Sequence, residues 1–229
     1  MQILKDLYIV SGCQGSNVYA VKTDRALIFI DCGTNMAEAQ AMESSLAYWG
    51  LDTLPITHVL LTHSHIDHAG NCKYFRGKGA KIAAGPGDCD AVETGDSRTC
   101  AYVISAVFET CAVDIRLKDN DVLEIGGLKI ECILVPGHTD GGMLFRAEIG
   151  GKIVVFSGDT LLIQDNADDV ILAANIGHEY NQERYLETLG KIANLRCDVI
   201  CAGHRRPLIG DAWRAFGWAY AKACVELRQ

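Results

Sequence analysis

His63, His65, Asp67 and His68 fall within six residues, directly after the apolar run 56–61, which reads as a buried strand about to end. In an extended segment alternate side chains share a face, so His63 and His65 point to one side while the chain between them stays strand-like. Asp67 and His68 lie where the chain turns into a helix expected over 68–76, closed by Gly77 and Gly79, and can face a second centre. Crowding four such groups at a strand end is costly without a metal to offset it, so the cluster reads as a metal site rather than a polar loop.

Three further candidates stand in the same setting. His138 follows the run 130–135, Asp159 the run 153–156 and His204 the run 199–202, and each comes directly after a glycine. Glycine there lets the backbone turn tightly at a strand end and leaves room beside an ion. The spacing His63-x-His65-x-Asp67-His68 resembles the signature of the metallo-β-lactamase-fold hydrolases, and His138, Asp159 and His204 follow in the family's order. That resemblance implies an α/β fold, the αββα four-layer sandwich. It also implies two divalent ions, with His63, His65 and His138 on the first, Asp67, His68 and His204 on the second, and Asp159 bridging. Asp31 matches an earlier family aspartate, which the resemblance makes structural or a support to the ligands. Imidazole-rich sites with few carboxylates suit Zn²⁺, with Fe and Mn as alternatives.

Two ions about 3.5–4 Å apart acidify a shared water and polarise a carbonyl together. The expected reaction is hydrolysis of an ester, thioester or lactone by a metal-bridging hydroxide, with Asp67 and Asp159 as catalytic carboxylates and Asp67 relaying a proton. Asp159 resembles the bridging aspartate of glyoxalase II and lactonase relatives, which the zinc β-lactamases replace, so a β-lactam substrate is disfavoured. The segments around His138 and Asp159 look like glyoxalase II, yet only about 25 residues follow His204, too few for that enzyme's glutathione-binding domain. Acyl-homoserine-lactone lactonases carry a tyrosine three residues beyond the bridging aspartate, where this chain has Leu162. A flavodiiron reading fails because His65 stands where that relative has glutamate. The runner-up is a mononuclear iron persulfide dioxygenase-like oxidoreductase, which shares much of the ligand set.

A length of 229 residues suits one domain over 1–229. The net charge of −8 argues against a nucleic-acid surface, and no run nears the ~18 apolar residues of a membrane span. The ten cysteines, from Cys13 to Cys224, form no C-x-x-C pair and mostly sit among apolar neighbours. With no secretory pattern at the start, a reducing cytoplasmic setting is expected, and the partner is a small-molecule substrate. A homodimer is compatible with these features.

Strands are expected over 3–10, 17–22, 25–31, 81–84, 113–117, 121–125, 128–135, 143–148, 152–156 and 198–202, with hairpins at Gly126-Gly127 and Gly150-Gly151. Helices are expected over 36–49, from the cap Asn181 to 193, and over 211–228; residues 161–177 read as a loop. The segment 86–112 has two readings. Cys100, Val103, Ile104, Val107 and Cys111 can form the buried stripe of a helix on the sheet. Alternatively Tyr102 or Phe108 roofs the metal site or meets a second subunit, with Arg98 as an anion contact. His178 and Arg205, the latter beside Arg206, are further candidate substrate contacts, whereas His58 reads as a buried, hydrogen-bonded histidine.

Overall fold

The computed structural model describes residues 1–11 and 15–227. Cys13, the 12–14 part of the first expected turn, and residue 228 of the expected terminal helix lie outside them. Seven strands form one sheet in chain order: β1 (Gln2–Leu4), β2 (Leu7–Ile9), β3 (Tyr19–Lys22), β4 (Leu27–Ile30), β5 (Ile56–Leu60), β6 (Lys81–Ala84) and β7 (Ile115–Arg116). Pairing is antiparallel up to β4 and parallel beyond it. β8 (Val122–Ile125), β9 (Leu128–Leu134), β10 (Met143–Ile149) and β11 (Lys152–Gly158) open a second sheet, and β12 (Leu161–Ile163) with β13 (Val170–Leu172) forms a separate hairpin. β14 (Val199–Ala202) and β15 (Leu208–Ile209) complete the second sheet, whose order is β15-β14-β11-β10-β9-β8. The helices are α1 (Met36–Tyr48), α2 (Ile66–Ala69), α3 (Cys72–Gly77), α4 (Asp88–Thr94), α5 (Gln182–Ile192) and α6 (Arg214–Glu226).

Period-two alternation decides the layering. Along β4, Ile28 and Ile30 point into the space between the sheets, where they meet Phe145, Val154 and Phe156. Leu27 and Phe29 point outward, onto Met42 and Leu46 of α1 and Phe75 of α3. The second sheet repeats the scheme: Val154 and Phe156 face inward, while Val155 and Ile200 pack outward on Tyr185 and Leu189 of α5 and Phe216 of α6. Helix, sheet, sheet and helix therefore stack as the expected αββα sandwich. Among the described residues no helix is long and apolar enough to cross a membrane.

Four local expectations are corrected. Residues 3–10 are not one strand, because Lys5 and Asp6 turn the chain, Asp6 with φ +66°, and β1 folds back on β2. The helix expected over 68–76 is two pieces, broken at Gly70, where a Cβ would strike the Thr34 carbonyl. Residues 161–177 hold the β12–β13 hairpin rather than a loop throughout. No α-helix runs over 100–111: two 3-10 turns, Ser97–Thr99 and Ala101–Ile104, are followed by chain without regular secondary structure, and Val103, Ile104 and Val107 are exposed.

The expected cap on α5 is present, Asn181 Oδ1 accepting from Arg184 N at 3.0 Å. Its own N–H donates to the Gly137 carbonyl, which ties the helix start to the loop of His138. Asn181→Ala is expected to lower stability by about 1 kcal/mol in a denaturant titration and leave metal content unchanged; an unshifted midpoint would show the cap to be idle.

Candidate metal centre

The C-terminal ends of β5, β9, β11 and β14 lie at one edge of the sandwich and carry the site. β5 runs into His63 and His65, and α2 follows with Asp67 and His68; His138 comes after β9, Asp159 after β11 and His204 after β14. Three donor groups result, each with its atoms within 4.8 Å of one another: His63, His65 and His138; His63, His68 and Asp159; and Asp67, His68 and His204. Asp159 sits between the first and last, its Oδ1 3.5 Å from His68 Nε2 and its Oδ2 3.4 Å from His204 Nε2 and 4.0 Å from His138 Nε2. The backbone at Gly203 passes so close that a Cβ there would strike Asp159 Oδ1, which explains the glycine before His204.

The surrounding hydrogen bonds fix the tautomers of three histidines. The fully buried Asp31 accepts from Thr62 N at 2.7 Å and from the Thr62 hydroxyl, and its Oδ2 lies 2.8 Å from His68 Nδ1. A carboxylate only accepts, so His68 carries its proton on Nδ1. The Thr62 hydroxyl, spent on Asp31, then accepts from His63 Nδ1 at 3.1 Å. His138 Nδ1 likewise donates to the Ala174 carbonyl at 3.1 Å. All three Nε2 atoms are thereby turned inward, free of a proton at His63 and His138 and able to ligate at His68 once its second proton is displaced. Each of them, and Asp159 Oδ1, is buried with no hydrogen-bond partner. Buried polar atoms are rarely orphaned, and four orphans converging on one space fit metal ligands.

Electrostatics divide the site. Burial and the neighbouring imidazoles hold His63 far below an ordinary histidine and His65 at about 3, so both are neutral and ready to ligate. Burial also acts to lower His68, but Asp67, Asp31 and Asp159 outweigh it and raise the group to about 9. His204 reaches about 10 for the same reason, through Asp159 and Asp67. Those histidines in turn hold Asp67 and Asp159 below the usual carboxylate range against the effect of burial. Metal entering this half must displace protons.

Asp88, which the sequence reading missed, pins the site from beneath. Fully buried in the first turn of α4, it accepts from Ser64 N at 2.8 Å and Thr139 Oγ1 at 3.0 Å through Oδ2, and from Gly141 N at 2.8 Å through Oδ1. It therefore clamps the His63–His65 segment to the His138 loop. Burial pushes its carboxyl up to about 6, the three donors opposing the shift. Its one local signal is an aspartate opening a helix after the Gly85-Pro86-Gly87 break.

The candidate substrate contacts fare differently. A cavity of about 400 Å³ opens on the metal site and is walled by Cys100, Val103, Ile104 and Ile176, not by Tyr102 or Phe108. Phe108 is buried in the core against the first sheet, and Tyr102 lies outside the cavity with its ring 6.4 Å from that of the exposed His178. Arg98 is tied to Asp96 and to the Gly87 carbonyl. Arg205 is exposed and off the cavity wall, and Arg206 pairs with Asp165. His58 is half-buried, its Nδ1 3.1 Å from Thr57 Oγ1.

A family model described as the metallo-beta-lactamase superfamily matches residues 11–204. The chain belongs to that superfamily. Hydroxyacylglutathione hydrolase of Pseudomonas syringae pv. syringae (strain B728a) is 32% identical over 142 residues, 61% of this chain and 44% of its own length. Atrochrysone carboxyl ACP thioesterase of Aspergillus fumigatus is 27% identical over 198 residues, 83% of this chain and 51% of that protein. The FEZ-1 metallo-β-lactamase of Legionella gormanii superposes with a TM-score of 0.79 at 21% identity, covering 100% of this chain and 95% of that one, which shows a shared fold. This superfamily member spans about half the length of the curated relatives it matches.

Proposed function

We propose that the chain is a dinuclear metal-dependent hydrolase of an ester, thioester or lactone. The observation that carries this reading is the set of four buried, partnerless donor atoms at the junction of two histidine-rich clusters. His63, His65 and His138 would hold one divalent ion, Asp67, His68 and His204 the other, and Asp159 would reach both; Zn²⁺ suits the donor set best. When bound, such ions supply an acidified water as nucleophile and a Lewis acid for the carbonyl oxygen.

The chain's own residues do the rest. Asp31, Thr62 and the Ala174 carbonyl hold the imidazoles in their ligating tautomers, so little reorganisation accompanies reaction. Asp67, whose side chain is 31% exposed and faces the cavity, can carry a proton on its second oxygen from the nucleophile to the leaving group. The buried free cysteines and the acidic sequence suit a cytoplasmic enzyme acting on a small molecule.

The test is elemental analysis of the purified chain combined with a screen of lactones, thioesters, phosphodiesters and β-lactams. Two ions per chain are expected, with ester, thioester or lactone turnover that chelation abolishes and metal restores. Saturation at one iron per chain, with oxygen uptake on a persulfide, would replace this reading by the mononuclear iron oxidoreductase.

A further inference from the structure

The cavity over the metal site has a lining of two kinds. One is apolar and left uncovered: Val103 and Ile104 are 55% and 53% exposed, Ile176 is 40% exposed, and all three line the cavity beside His65 and His138. The turn Ala101–Ile104 is held in this position by left-handed backbone at non-glycine residues on both sides, Cys100 with φ +53° and Ser105 with φ +54°. Such conformations are sparsely populated and persist where the surroundings impose them. Outside the proposed ligands and Cys100, the rest of the lining is Gly15, Thr34, Asn35, Glu38 and Ile66.

Among the described residues no lysine or arginine lines this cavity. Outside the proposed ligands its one charged side chain is Glu38, whose Oε2 already accepts from Thr34 N at 2.7 Å. A carboxylate or phosphate placed here would find no lysine or arginine among the described lining residues and would face the Glu38 carboxylate.

We infer that the substrate presents an uncharged apolar acyl group to Val103, Ile104 and Ile176 and carries no anionic group on its leaving side, so that anionic thiol carriers such as glutathione are disfavoured. This rests on the hydrolase reading above. Each methylene laid on the apolar wall contributes about a 3-fold gain in kcat/KM.

The experiment uses the metal-loaded full chain and two thioester series with the same acyl groups, acetyl to hexanoyl, on N-acetylcysteamine and on glutathione. The expected result is a rise of roughly 3-fold per methylene in the uncharged series and an advantage of about 10-fold or more over glutathione at equal acyl length. Val103→Ser with Ile104→Ser should flatten the chain-length slope and raise KM while metal content and Tm stay unchanged. Glu38→Gln should narrow the gap between the two thiols. Glutathione thioesters cleaved as well as or better than their uncharged counterparts would overturn the inference, most directly if Arg205→Ala removed the preference. A slope unaltered by the serine pair would overturn it too. Failure to cleave any ester, thioester or lactone with two ions bound sinks the hydrolase reading itself, whereas cleavage without chain-length or charge preference sinks this inference alone.

Discussion

Asp159→Ala is expected to lower kcat by roughly 10³-fold or more and to reduce the bound metal from two ions per chain to one or fewer. Among the described residues Asp159 is the carboxylate that approaches histidines of both clusters, His138 on one side and His68 and His204 on the other. Without it, two cations would sit in a space lined by imidazoles with only Asp67 to offset their charge, and their mutual repulsion would expel one. The fold should survive, because the residue lies at the strand ends and not between the sheets. Asp31→Ala offers a contrast. It releases His68 Nδ1 and leaves Thr62 N–H without its acceptor, so it should weaken metal binding about 10- to 100-fold and also lower the melting temperature. Metal titration with parallel thermal melts separates the two variants. Full occupancy with undiminished turnover in Asp159→Ala would remove the bridging role.

The convergence of these histidines and aspartates was legible because His138, Asp159 and His204 each follow an apolar run and the other four are near neighbours in sequence. Layering was legible for a similar reason: strands such as β4 and β11 alternate between two buried faces, and period-two patterns survive in sequence. β1 and β2 were merged because a two-residue turn preserves the alternation on either side of it. β12 and β13 were missed because three residues are too few to show a period. The segment 86–112 misled for a deeper reason. Val103, Ile104 and Val107 stand at helical spacing, and sequence cannot distinguish apolar residues kept for a core from those left open beside a cavity. What decides between them is the left-handed backbone at Cys100 and Ser105, residue types that rarely advertise it. Asp88 was invisible for want of locality, since its three partners lie 24, 51 and 53 residues away.

Asp88→Ala is expected to cost about 3 kcal/mol or more of folding stability, because it strands the Ser64 N–H, the Thr139 hydroxyl and the Gly141 N–H in a buried site at about 1 kcal/mol or more each. The functional loss should be uneven. Ser64 lies between His63 and His65, and Thr139 follows His138, so the clamp serves the first cluster, while Asp67, His68 and His204 take no hydrogen bond from it. Metal titration of the variant should show the first site weakened well beyond the second; equal loss at both, or none, would deny Asp88 a positioning role. Asp88→Asn keeps the shape and removes the titration, although its amide nitrogen replaces one acceptor oxygen and loses the bond from Gly141 N–H or the pair from Ser64 N–H and Thr139 Oγ1. The pH dependence of the difference, not its absolute size, therefore reads the carboxyl. Burial raises this carboxyl from 3.8 to about 6, so the folded state favours its protonated form. The associated stabilisation is complete below about pH 4 and is lost as pH rises through about 6. The stability of the wild type relative to Asp88→Asn should therefore fall as pH rises across that window, and denaturant midpoints for the pair, measured at pH 4 and pH 7, read the difference directly. A difference that grows in the opposite direction would mean that the three donors outweigh burial and hold Asp88 as the anion.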